Sequence, residues 1–174
     1  MIGEQIVKVA ESLLYIREKT GNNDHPMIDK MFDYLGLPHN LSWCLAFCIW
    51  CVHSVVNPMP YPKIARCSTF FEIVKKDTWK YKVGTPSDVA WNIYKVKPGT
   101  IIIFSQSKVA GKSNWNGHAA LVDMKVTDNN RTWYTIEGNT NGAGSREGNG
   151  VYRKVRSIKQ GGLALEGFVQ FRGM

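Results

Sequence analysis

The chain has 174 residues, 44% apolar and 21% charged, a composition that fits one ordinary folded domain over residues 1–174 and excludes a disordered or disulfide-stapled chain. No apolar run approaches the roughly 20 residues needed to cross a bilayer. Glu4, Lys8 and Glu11 stand where the apolar core of a secretion signal would be, so membrane insertion and signal-directed export are not expected. The net charge of +8 favours an anionic partner such as nucleic acid, an acidic membrane or an anionic cell wall.

In chain order, Ile6, Val9, Leu13 and Ile16 recur at helical spacing and predict an amphipathic helix over residues 3–18. Thr20-Gly21-Asn22-Asn23-Asp24 reads as a loop. A second helix follows, with Pro26 in its first turn, Gly36 at its stop, and Ile28, Met31, Phe32 and Leu35 inward. The third helix is the central one. Ser42 is a candidate N-cap, and Cys44, Phe47, Cys48, Cys51 and Val55 form one buried stripe ending before Asn57-Pro58. A shorter helix spans residues 68–76, and residues 77–98 read as irregular.

The second half reads as strands. The turn Lys97-Pro98-Gly99 leads into an apolar strand over 100–104, and a polar loop with Trp115 follows. Strands over 118–126 and 132–137 form a hairpin around residues 127–130. A loop rich in Gly and Asn then runs to Gly150, and two further strands cover 151–156 and 166–171. Within the first of these, Tyr152-Arg153-Lys154-Val155-Arg156 is the densest basic run, and its alternation reads as a solvated strand face. Helices first and an antiparallel sheet second make an α+β chain.

Four cysteines are present, Cys44, Cys48, Cys51 and Cys67, and three share one helix, which points to free thiols. Cys44 sits in a helix first turn, where aligned backbone dipoles lower a thiol pKa, whereas Cys48 and Cys51 lie deeper. A thiol nucleophile needs a base, and His118 opens a strand between Gly117, which leaves room for substrate, and the small Ala119 and Ala120. His25, His39 and His53 lack a sheet context. With the hairpin turn centred on Asp128-Asn129, paired residue numbers add up to 257. His118 then faces Asn139, with Glu137 two residues along on the same face. Either one can accept the imidazole N–H. No metal or cofactor is expected: Cys44, Cys48 and Cys51 with Cys67 and His53 lack the paired-cysteine spacing of zinc sites, and Asn22-Asn23-Asp24 falls short of a calcium loop. No phosphate-binding glycine motif or RNA-binding signature accompanies the positive charge.

The motifs Gly21-Asn22-Asn23, Trp43-Cys44-Leu45-Ala46-Phe47, Lys97-Pro98-Gly99-Thr100-Ile101-Ile102-Ile103-Phe104, Gly117-His118-Ala119-Ala120-Leu121-Val122 and Ile136-Glu137-Gly138-Asn139-Thr140, in this order, resemble the CHAP family of cysteine amidohydrolases and peptidases. More narrowly, they resemble a phage-associated single-domain branch of that family, within the NlpC/P60 and papain-like group. The resemblance covers nearly the whole chain. Thr100 stands where the family often has Asp, and Leu45 where it often has Ala.

The resemblance implies a papain-like fold with N-terminal helices on a C-terminal sheet, and peptidoglycan as substrate. Cys44 would be the nucleophile, His118 the base and acid, Glu137 the orienting group, and Asn139 a fourth site residue or substrate contact. Trp43, Trp115, Asn116 and Gly117 are placed by their flanking positions as substrate contacts. The expected setting is a monomer or a virion component that reaches the wall after lysis, virion delivery or injection. A non-catalytic virion or binding module of the same fold, and a thiol hydrolase of another amide, remain the alternatives.

Overall fold

A computed structural model describes residues 1–90, 94–106, 116–126, 132–141, 148–160 and 163–174. Five helices, α1 (Ile2–Ser12), α2 (Pro26–Leu35), α3 (Cys44–His53), α4 (Cys67–Lys76) and α5 (Pro86–Ala90), accompany seven strands among these residues. The strands are β1 (Tyr81–Gly84), β2 (Ile101–Gln106), β3 (Asn116–Val126), β4 (Thr132–Thr140), β5 (Gly150–Ser157), β6 (Lys159–Gln160) and β7 (Leu163–Phe171). All strands join one antiparallel sheet in the order β1-β7-β2-β3-β4-β5, with β6 also on β7. The chain is therefore α+β. Among the described residues, no helix is long and apolar enough to cross a membrane.

Alternation along the strands gives the sheet two apolar faces. Ile101, Ile103, Ala119, Leu121, Ile136 and Val169 pack with the helices α1 to α4, while Ile102, Phe104, Ala120, Val122, Trp133 and Phe168 pack under Val89 of α5 and Tyr94. α3 lies between α1 and α2 on one side and β3 and β4 on the other. It is buried all round rather than along one stripe: Cys44, Leu45, Ala46, Phe47, Cys48, Ile49, Cys51 and Val52 are all inside. Helix periodicity cannot reveal this, because a helix covered on every side has no polar face to set the phase.

The second helix begins and ends as the sequence indicates. His25 Nδ1 accepts the Met27 N–H at its start, and Gly36 closes it in the left-handed region with φ 68°. The turn before β2 also forms as read: Thr100 N–H bonds Lys97 C=O, with Gly99 at φ 79°.

Other elements depart from the sequence reading. The first helix stops at Ser12 instead of reaching residue 18. The chain turns there so that Arg17 bridges Gly150, with Ile16 C=O accepting from Val151 N–H at 3.1 Å and Arg17 Nη1 donating to the Val151 carbonyl at 2.8 Å. Trp43, not Ser42, is the N-cap of α3. The stretch read as irregular holds β1 and α5, and the short strand β6 was not anticipated. β1 has four residues whose pairing to β7 supplies what its own pattern lacks. The expected turn over 127–130, Trp115 and residues 142–147 of the Asn/Gly-rich loop lie outside the described residues.

Candidate active site

α3 delivers Cys44 as its first residue, and the start of β3 delivers Asn116, Gly117 and His118. Cys44, Asn116 and Gly117 line one cavity of about 390 Å³ together with Leu41, Ser42, Ala65, Arg66 and Cys67. The first helical hydrogen bond of α3 runs from Phe47 N–H to Trp43 C=O at 2.9 Å, so the N–H groups of Cys44, Leu45 and Ala46 precede it. Those groups and the helix dipole favour negative charge at the thiol.

The register read from the hairpin is present where the strands pair: Leu121 faces Ile136 and Val122 faces Thr135, before a shift brings Val126 opposite Trp133. On this frame His118 Nε2 meets Glu137 Oε2 at 2.7 Å, with both residues essentially buried. Phe104, its partner on β2, lies over the imidazole at 6.5 Å between ring centroids. Nδ1, the other ring nitrogen, is buried and makes no hydrogen bond of ordinary geometry. Its ring nonetheless interacts with Cys44, and each stabilises the other's charged form. The arrangement assigns the carboxylate to Nε2 and leaves Nδ1 for the thiol.

The electrostatics follow from these contacts. Cys44 lies well below an ordinary thiol. The hydrogen bond with Cys67 is the chief cause, burial opposes it, and His118 and the Ala119 N–H add to it. Burial disfavours the His118 cation, but Cys44 and Glu137 overcome this and push its pKa up to about 9. Burial also raises Glu137, yet Arg156, and then His118, bring it down to about 2. Both shifts run in the direction that favours a thiolate beside an imidazolium over the neutral pair.

Three residues that the sequence reading missed complete the site. Arg156 is 5% exposed, not solvated. Its Nε donates to Glu137 Oε1 at 2.6 Å and its Nη2 donates to Glu137 Oε2. Its guanidinium also lies over Phe104, 5.5 Å from the ring centre. Thr135 donates its hydroxyl to Glu137 Oε1 at 2.6 Å. The third is Cys67, whose Sγ sits 3.9 Å from Cys44 Sγ. For Arg156 the signal was positional: it faces Trp133 across the β4–β5 ladder, on the Thr135 and Glu137 side of β4.

One sequence assignment needs correction, and a second is narrowed to the substrate-contact alternative. Trp43 is wholly buried and does not line the cleft; its indole N–H donates to Glu18 Oε1 at 2.9 Å, and Glu18 also accepts the Asn23 N–H. Asn139, in the left-handed region at φ 53°, lines a second cavity of about 870 Å³ and not the one holding the thiol. That cavity also carries Asn22, Asn23, Asp24, Asn40, Asn141 and Asn149, and shares the wall Leu41-Ser42 with the thiol cavity. Glu137, of the two candidates, holds the imidazole. Trp115 lies outside the described residues.

The other histidines are engaged elsewhere. His25 caps α2, His39 pairs with Asp33 at 2.8 Å, and His53 stacks on Tyr34 at 3.7 Å. Cys48 and Cys51 are held well above an ordinary thiol by burial. Among the described residues, no group of three His, Cys, Asp or Glu side chains is arranged to hold a metal.

No protein-family model, curated protein or solved structure matches the chain.

Proposed function

We propose that this protein is a cysteine hydrolase of papain-like design that cleaves an amide bond of bacterial peptidoglycan. The observation that carries the reading is His118, which joins the buried Glu137 carboxylate at 2.7 Å on one side and acts on the Cys44 thiol on the other. Nucleophile, base and orienting acid stand in the order such catalysis requires.

The Cys44 thiolate attacks the amide carbonyl, and the pair of electrons displaced from the carbonyl gathers on oxygen. The N–H groups opening α3 stabilise that oxyanion. His118, already protonated, gives its proton to the leaving amine as the C–N bond breaks. Water, deprotonated by His118, then attacks the thioester, and the released thiolate regains its imidazolium partner. Glu137 holds the ring in one orientation throughout, and Arg156 with Thr135 holds Glu137.

Several features support a wall substrate. Arg66 lines the thiol cavity, suited to the carboxylates that stem peptides carry. The adjoining asparagine-lined cavity offers amide donors and acceptors that match sugar hydroxyls and peptide bonds. The charge of +8 would concentrate the enzyme on a polyanionic surface. The sequence resemblance to CHAP hydrolases points the same way, and a phage-associated lysin is the setting it suggests.

The test is digestion of purified sacculi by wild type and Cys44→Ala, with products read by mass spectrometry. Release of new amino termini or free stem peptides by wild type alone is the expected result, and fragment masses name the bond. Equal release by Cys44→Ala would remove Cys44 as nucleophile. Release by neither, across several wall chemotypes, would overturn peptidoglycan as the substrate.

A further inference from the structure

The hydrolytic cycle uses one thiol, yet the cavity holds two. Cys67 opens α4 as Cys44 opens α3, and both line the same cavity. Their sulfurs are 3.9 Å apart, with no atom of another residue needed to bridge them. A disulfide requires about 2.05 Å, so the pair must close by roughly 2 Å, which side-chain rotation at two helix first residues can contribute. All four cysteines are free in this state. Cys48 and Cys51 are also buried, but they lie in the packed core around α3 and do not line the cavity.

We infer that Cys44 and Cys67 form a reversible, peroxide-sensitive pair in which Cys67 is the resolving thiol. The thiolate of Cys44 attacks a peroxide oxygen. An S–O bond forms, the O–O bond breaks, and hydroxide leaves as water after taking a proton. Cys44 is then a sulfenic acid. Cys67 gives up its proton, its sulfur attacks the Cys44 sulfur, and the second hydroxide leaves as water. Two thiols have been oxidised to one disulfide, and one peroxide has been reduced to two waters.

The order of events follows from the geometry. Cys44 faces His118 and the N–H groups opening α3, so it carries the negative charge that reacts first. Cys67, 3.9 Å away, is kept protonated by its contact with Cys44 and by burial, and comes second. Capture by a thiol in contact competes with further oxidation to the irreversible sulfinic acid. In the hydrolase reading, on which this one consequence rests, the disulfide removes the nucleophile and reduction restores it. The enzyme would then be protected and silent under oxidative conditions, and active again in a reducing one.

The experiment treats reduced full-length protein with a small molar excess of hydrogen peroxide, then alkylates it under denaturing conditions. In the wild type the four alkylatable thiols should fall to two, and the tryptic peptide 67–75 should be found cross-linked to peptide 31–63, with fragment ions placing the link on Cys44 and not on Cys48 or Cys51. Dithiothreitol should restore all four. In Cys67→Ser, the sulfenic acid should instead be trapped on Cys44 by dimedone and, without dimedone, progress to sulfinic acid that dithiothreitol does not reverse. Sulfinic acid on Cys44 in the wild type with Cys67 still alkylatable would overturn the proposal. So would a disulfide between another pair, or no oxidation at peroxide levels that oxidise a free thiol. If Cys67→Ser does not fold, the wild-type map alone decides. The readout uses no substrate, so it stands or falls apart from the wall-digestion result.

Discussion

Replacing Arg156 by Met tests whether the buried ion pair behind the histidine is part of the site's architecture. Met keeps much of the side-chain volume and removes the fork that donates to both oxygens of Glu137. In the folded protein Glu137 titrates near 2 instead of its ordinary 4.5, and at about 1.4 kcal/mol per pKa unit this corresponds to about 3 kcal/mol favouring the charged form. Because the folded pKa is depressed, this contribution is fully present above pH 4.5 and is lost as pH falls through about 2. Breaking a buried pair by removing one partner costs on the same order, about 3–5 kcal/mol. Arg156→Met should therefore lose about 3 kcal/mol in urea unfolding at pH 7, with much of the deficit gone in acid. The double variant Arg156→Met with Glu137→Gln should recover a large part of that loss, since a neutral amide tolerates burial better than a carboxylate left with only His118 and Thr135. A loss under about 1 kcal/mol, the range of a surface pair, would refute the reasoning, as would strictly additive behaviour of the double variant.

Glu137→Gln keeps a hydrogen-bonding group beside His118 but removes its charge. His118 now holds its proton up to about 9; its stabilising contribution is present at low pH and is lost as pH rises through that value. The alkaline limb of the hydrolysis profile should therefore move to lower pH, with turnover falling roughly 100-fold; an unmoved limb would contradict the assigned contact. Gly138→Ala should destabilise the protein by about 2 kcal/mol in thermal or urea unfolding, because the added Cβ would sit 2.5 Å from the Trp43 ring and 2.7 Å from Phe47 Cβ. Phe47 Cβ is fixed to the helix backbone, so α3 must back away from β4 and take Cys44 with it. Unchanged stability and unchanged Cys44 reactivity would show that α3 and β4 are not this tightly seated.

The parts of the site that were legible in the sequence are those whose position depends on local periodicity. The hairpin register placed His118 and Glu137 on one face because strand alternation and turn position suffice to count it. Cys44 was legible because polar loop gives way to apolar helix there. Arg156 was not, because its basic neighbours imitate a solvated face. At its last two positions the pattern is inverted: Val155 is 51% exposed while Arg156 is buried over Phe104. Only the partner strand reveals that. Cys67 was missed for a different reason. It comes to Cys44 through the fold of residues 54–66, a stretch without periodicity, and opens a helix of its own. Trp43 misled because an aromatic beside a nucleophile suits a cleft wall equally well. Its tie to Glu18, across 25 residues of sequence, is a tertiary contact. The first helix reads too long because apolar spacing continues through Ile16, while the chain turns after Ser12 toward a β-bridge between Arg17 and Gly150, far away in sequence.

The most direct test of the central claim is the pH dependence of iodoacetamide alkylation of the native protein, with fragment ions of peptide 31–63 separating Cys44 from Cys48 and Cys51. A thiolate paired with His118 should react at a nearly constant rate from about pH 6 to 8, and His118→Ala should lose that plateau. A rate that instead climbs about tenfold per pH unit toward an ordinary thiol value near 8.5, unaffected by His118→Ala, would contradict the account.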